Sequence, residues 1–159
     1  MKPPESPAEA FPSLGAPLDL LRLLWAIDHA LQRKSKRMEK TIGITGPQRL
    51  VLRIVGKFPG ISVGRLARLL DVHPSTVTGL ADRLIRRGLL RRRPDPRDAR
   101  RQLLGLTPAG HALDEDGLVT IESAIETLLK TAPAGQVAAA CRTLASLRKL
   151  LDEQDPAFA

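Results

Sequence analysis

Apolar residues recur at helical spacing along most of the chain. Leu20, Leu24, Ile27 and Leu31, with Leu21 and Trp25 beside them, predict an amphipathic helix from about Leu18 to Lys40. Its second half is basic (Arg33, Lys34, Lys36, Arg37), which suits the negative end of a helix dipole. Thr45-Gly46-Pro47-Gln48 reads as a capping box opening a second helix. That helix carries Leu50, Val51, Ile54 and Val55 and stops near Pro59-Gly60. Ser62 caps a short third helix bearing Val63, Leu66, Leu69 and Leu70. Asp71-Val72-His73 is a turn, and Pro74 at a first helical position opens a fourth helix that ends at Gly88. The period then changes to two. Leu89 to Arg93 and Arg100 to Leu106 predict a hairpin with Pro94 to Ala99 at its tip. Thr107-Pro108 starts another helix, expected to run to about Thr131 with Leu118, Ile121, Ile125, Leu128 and Leu129 along one side. Pro133 opens the last, with a stripe of Val137, Cys141, Leu144, Leu147 and Leu151.

These elements predict a mainly α fold. The third and fourth helices form a helix-turn-helix and the hairpin forms its wing. A chain of 159 residues fits one domain with a core that needs no disulfide or metal. Residues 1–17 hold five of the thirteen prolines and read as a tail. Residues 18–154 read as a single domain, its winged core at 45–106 flanked by helices at 18–41 and 107–154. Two long apolar stripes exceed what the middle region can cover. They predict a homodimer, with an intrachain helical lid as the alternative.

Charge narrows the partner. Residues Asp82 to Arg101 hold nine arginines and three aspartates, a formal +6 of the chain's +8. Arginine clustered on one helix and the adjoining ribbon is the electrostatic footprint of a double-stranded DNA reader. Aromatics are 3% of the chain and tyrosine is absent, so a stacking platform for single strands is excluded. The pI of about 10.5 points to an anionic partner. No apolar run approaches the roughly 20 residues of a membrane span, and residues 1–17 do not resemble a signal peptide. One cysteine, Cys141, forms no intrachain disulfide and suits a cytoplasmic protein.

In the fourth helix Val77, Leu80, Ala81 and Leu84 point inward at helical spacing. Ser75, Thr76, Thr78, Gly79, Asp82, Arg83 and Arg86 remain on the outer face. A small, polar helix start can enter a major groove about 12 Å wide, where hydroxyls meet base edges and threonine methyls meet thymine methyls. The competing reading is that Ser75 and Thr76 only cap the helix. Gly79 costs roughly 1 kcal/mol of helix propensity, a cost explained either by close approach of DNA or by tight packing.

Asp98-Ala99-Arg100, five intervening residues, then Leu106-Thr107 matches the pattern D-x-R-x-x-x-x-x-L-T. With His73-Pro74-Ser75-Thr76-Val77-Thr78, Arg83-Leu84, Arg87-Gly88-Leu89 and Pro108-Ala109-Gly110, the chain from about Leu18 to Leu151 resembles the MarR (multiple antibiotic resistance regulator) family. The resemblance implies a winged helix-turn-helix transcriptional regulator, more often a repressor, acting as a homodimer on a pseudo-palindromic operator. It implies that Arg100 reaches the minor groove and that Asp98 orients the wing by pairing with a nearby arginine. Arg83 would hold a phosphate, and Ser75, Thr76 and Thr78 would face the major groove. The alternative for Asp98 and Arg100 is a pair that only staples the hairpin. The flanking helices resemble the family's dimerisation region. Many members of the family bind small phenolic or aromatic acids between the dimer helices and the winged domain, and the resemblance implies that Trp25 and His29 on the first helix lie near such a pocket. A packed Trp25 with a polar neighbour is the plainer reading.

No enzyme or metal site emerges. His29, His73 and His111 fall on different elements. His111 and Glu115 share a helix face without a supporting ligand cluster. Cys141 on its apolar stripe is expected to be packed. Asp114-Glu115-Asp116 reads as a solvated helix face, and no nucleophile or phosphate-loop motif is present. No cofactor is implied. The competing function is an architectural DNA-binding protein with low sequence specificity and no effector.

Overall fold

A computed structural model describes residues 13–115 and 119–153. The chain divides into two compact units, Met1–Asp116 and Gly117–Ala159. In the first unit, helices α1 (Ala16–Ile42), α2 (Gly46–Lys57), α3 (Val63–Leu70) and α4 (Pro74–Arg86) precede strands β1 (Leu90–Asp95) and β2 (Asp98–Leu106) and helix α5 (Pro108–Asp114). The second unit holds α6 (Ile121–Thr131) and α7 (Ala134–Glu153). Most of the expected tail, residues 1–12, lies outside the described residues. Its boundary shifts, because α1 starts at Ala16 and takes Pro17 into its first turn.

The helix boundaries follow from caps. Thr45 and Gln48 form the expected capping box. Thr45 Oγ1 accepts from the Gln48 N–H at 3.4 Å, and the Thr45 N–H donates to Gln48 Oε1 at 3.0 Å. Ser62 Oγ accepts from the Arg65 N–H. Asp71 takes the left-handed conformation that ends α3 (φ 55°). Gly88 does the same after α4 (φ 70°), where a side chain would be strained. The Gly88 N–H donates to the Ile85 carbonyl at 2.8 Å and the Leu89 N–H to Leu84 at 2.9 Å, a Schellman closure. It turns the chain directly into β1.

One buried cluster holds this unit together. Val51, Leu52 and Val55 of α2, Leu66 and Ala67 of α3, and Val77, Ala81 and Leu84 of α4 pack with Ile44, Ile61, Leu89, Leu90, Leu104 and Leu106. The inward face expected for α4 is confirmed, with Leu80 at the margin of the cluster. The hairpin is antiparallel, pairing Leu90 with Leu106 and Arg92 with Leu104, and its register shifts between Pro94 and Asp95. Its strands reach closer to the tip than expected, leaving only Pro96 and Arg97 between them. Leu103 also bridges to Ser62, so the α2–α3 connection adds a short third rung that sequence periodicity did not reveal. Thr107 Oγ1 accepts from the Gly110 N–H at 3.1 Å and donates to the Gly88 carbonyl at 2.6 Å, fastening α5 to the end of α4. A Cβ at Gly110 would collide with the Leu89 carbonyl oxygen, so this approach requires glycine.

The single helix expected from Thr107 to Thr131 is corrected to two. Glu115 leaves α5 in an extended conformation (ψ 151°). Thr120 and Ser123 then form a new capping box, with the Thr120 N–H donating to Ser123 Oγ at 3.1 Å. Leu118, assigned to the continuous stripe, and Asp116, assigned to a solvated face, lie outside the described residues. Cys141 is exposed, not packed. The reason is general to its helix: α6 and α7 bury none of their residues within the described chain.

Candidate nucleic-acid interface

The start of α4 is built around His73. Its Nδ1 accepts from the Ser75 N–H at 3.2 Å and lies 2.7 Å from Ser75 Oγ. Thr78, half-buried, donates its hydroxyl to the Pro74 carbonyl at 2.9 Å. Both hydroxyls are therefore engaged locally, but the N-cap is His73 and not Ser75 or Thr76, the residues of the capping reading. Thr76 differs. It is exposed, and its hydroxyl meets no partner among the described residues. A Cβ at Gly79 would meet no heavy atom within 4 Å. Packing within the chain therefore does not require the glycine. Arg83 and Arg86 are exposed on the last turn of α4, with no carboxylate partner among the described residues.

The wing divides its arginines. Arg92 Nη2 pairs with Asp82 Oδ1 at 2.7 Å, tying β1 to α4. Asp98 Oδ1 accepts from the Arg100 N–H at 3.1 Å, and Asp98 Oδ2 pairs with Arg101 Nε at 3.3 Å. The aspartate thus pairs with a neighbouring arginine and shapes the turn, leaving the Arg100 guanidinium exposed and without a carboxylate partner among the described residues. Arg97 occupies the tip, where Asp95 Oδ1 accepts from its N–H at 2.9 Å. Arg87 is turned away from the wing. Its Nη2 stands 2.7 Å from where a Cβ of Gly43 would be, against the end of α1.

A groove of about 470 Å³ runs between α3, the first turns of α4 and the wing. Thr78, Arg92, Arg100 and Arg101 line it together with Arg65 and Arg68 of α3. Those last two went unnoticed in the sequence, although their i,i+3 spacing on a Ser62-capped helix places them on one face. Three carboxylate-free guanidiniums, Arg65, Arg68 and Arg100, and two paired ones surround this groove. Low-dielectric walls lined by one sign of charge focus the field on an anionic partner.

The other singled-out residues lie apart from it. Trp25 is 75% exposed, so the packed reading fails within the chain. It lines a concavity of about 410 Å³ on α1 with Leu14, Leu18, Leu21, Arg22 and Ala26, while exposed His29 does not. Among the described residues no group of three His, Cys, Asp or Glu side chains could hold a metal. No helix of the described residues is long and apolar enough to cross a membrane.

Residues 42–101 match the model of the MarR family. The chain is 31% identical over 98 residues to the multiple antibiotic resistance protein MarR of Salmonella typhimurium, covering 62% of this chain and 68% of that one. Among solved structures it resembles a mutant MarR from E. coli complexed with operator DNA, at a TM-score of 0.65 and 27% identity over 81% of this chain and 93% of that one. It also resembles the PcaV transcriptional regulator of Streptomyces coelicolor in complex with its natural ligand, at a TM-score of 0.66 and 26% identity over 91% of this chain and all of that one. With the winged helix-turn-helix built as described, the chain belongs to the MarR family of transcriptional regulators.

Proposed function

We propose that this protein is a cytoplasmic, ligand-responsive repressor that binds a pseudo-palindromic operator in duplex DNA as a homodimer. The groove between α3 and the wing carries this reading, because it sets Arg65, Arg68 and Arg100 together with Thr78 of α4. In this reading α4 enters the major groove. Thr76 reads base edges with its uncommitted hydroxyl, and Ser75 and Thr78 add apolar and water-mediated contacts. Gly79 leaves room for the duplex. Arg83 and Arg86 hold phosphates, as do Arg65 and Arg68, fixing register without reading sequence. Arg100 enters the neighbouring minor groove, and Asp98 orients the wing.

Assembly rests on uncovered apolar surface. Leu18, Leu21 and Trp25 on α1, and Ile125, Leu128 and Leu129 on α6, are all exposed in one chain. A second copy covering these faces would place two α4 helices roughly 34–36 Å apart, one turn of the duplex. A small aromatic or phenolic effector would contact Trp25 and His29 on α1; that the PcaV relative was solved with its natural ligand supports only the existence of an effector.

Selection of bound duplexes from a random pool tests the reading. A recurring two-fold sequence with half-sites one turn apart is the expected result. Equal recovery of all sequences would favour an architectural role and overturn it.

A further inference from the structure

Two arginines on the far side of the wing are not used by the DNA reading. Strand alternation puts Arg91 and Arg93 on the face of β1 opposite Arg92, and so away from Asp82 of α4. The Arg91 Nε lies 3.7 Å from where a Cβ of Gly105 would stand, and the Arg93 Nη2 lies 3.5 Å from that of Gly60. Together with His111 of α5 they line a cleft of about 120 Å³, with Gly56, Gly60 and Gly105 among its other walls. Neither guanidinium has a carboxylate partner among the described residues, and neither does the imidazole. The carboxylate that abuts Gly56, Asp114, is already paired with Arg53 at 3.3 Å.

Two forked donors and a ring nitrogen around one concave space match the oxygens of a phosphate or carboxylate. The size sets the class. A water molecule occupies roughly 30 Å³ of liquid, and drug-sized ligands take pockets of about 300 Å³ or more. This cleft therefore has room for a small oxyanion and not for a bulky aromatic.

We propose that the cleft between Arg91, Arg93 and His111 binds a small oxyanion on the face of the wing turned away from α4. The site is separate from the DNA groove and from Trp25, and its occupancy does not depend on either reading. An occupant held by both β1 and α5 would fasten the wing to its base.

Calorimetric titration of the full chain with inorganic phosphate, at ionic strength fixed with chloride, tests this. Wild type should show one saturable site per chain. The double variant Arg100→Ala with Arg101→Ala should keep it. Arg91→Ala with Arg93→Ala should weaken it about tenfold or more, and replacing both by lysine should restore part of the affinity, since a point charge lacks the fork. If the alanine pair fails to fold, exposed His111→Ala supplies the test and should weaken binding severalfold. Parallel titrations with glycerol phosphate and acetate separate the sources. Tighter binding of the ester points to a phosphorylated metabolite, of phosphate itself to the free ion, and of acetate to a carboxylic acid. No saturable site in wild type would overturn the proposal. So would a site that survives the Arg91 and Arg93 changes, or one lost with Arg100 and Arg101. A reduced salt slope for DNA with phosphate binding unchanged would assign Arg91 and Arg93 to the DNA backbone instead.

Discussion

The helices of the winged region and the helices after residue 119 carry similar apolar stripes and treat them differently. In α2, α3 and α4 the stripe is buried, with Val51, Leu52, Val55, Leu66, Val77 and Leu84 fully covered inside one chain. In α6 and α7 the equivalent residues stay open, Leu128 and Leu151 each at 60% exposure. Helix α1 behaves like the second group, burying Met38 alone. The same periodicity thus describes a completed core in one place and an uncovered apolar face, the one the proposed homodimer would cover, in the other. Burying apolar area stabilises by about 25 cal/mol per Å². Contiguous open stripes on three helices are more than monomeric proteins usually leave to water.

The largest effect is expected from ending the chain before Pro133. Loss of α7 should remove part of the surface through which a second copy would cover the remaining open stripes, and drive the protein into aggregates, not a soluble monomer, as sedimentation would show. A soluble monomer that still binds DNA would erase the distinction between the two regions.

Inside the winged region, Leu66→Ala should lower stability by about 2–5 kcal/mol, because a fully buried leucine leaves a cavity. The same change at exposed Leu128 should cost far less in the folding of a single chain, yet should weaken self-association. Denaturant melts at several protein concentrations separate the two effects.

Thr76→Ala should weaken operator binding by about 1–3 kcal/mol and leave random DNA nearly unaffected. Ser75→Ala and Thr78→Ala should cost less, since those hydroxyls already serve His73 and the Pro74 carbonyl. Gly79→Ala should act in opposite directions. Stability should rise by up to roughly 1 kcal/mol because nothing opposes the methyl group, while operator affinity falls. Anisotropy titrations and thermal melts on one preparation read both. Smaller still is the Arg92–Asp82 pair. A double-mutant cycle should return about 0.2–1 kcal/mol, as both side chains are a third or more exposed.

Much of this is legible in the sequence. Thr45, Ser62, Pro74, Gly88 and Thr107 mark boundaries through local chemistry, and the structure places helix ends there. The inward face of α4 followed from spacing alone. The break between α5 and α6 did not, because the apolar period runs across it and the Thr120–Ser123 box resembles ordinary helix surface. The arginine cluster was visible as charge but not as geometry. Only the fold shows Arg92 tied to Asp82, Arg87 set against Gly43, Arg91 and Arg93 turned to the other face, and Arg65 and Arg68 recruited from α3. Pairings between distant segments decide those directions, and no local pattern encodes them.

The central claim is that one compact reading head is doubled by helices that are incomplete alone. Light scattering coupled to size-exclusion chromatography at micromolar concentration tests it most directly. The account predicts a mass twice the 17.3 kDa of the chain, held across dilution to low micromolar concentration. A mass near 17.3 kDa at every concentration would contradict it.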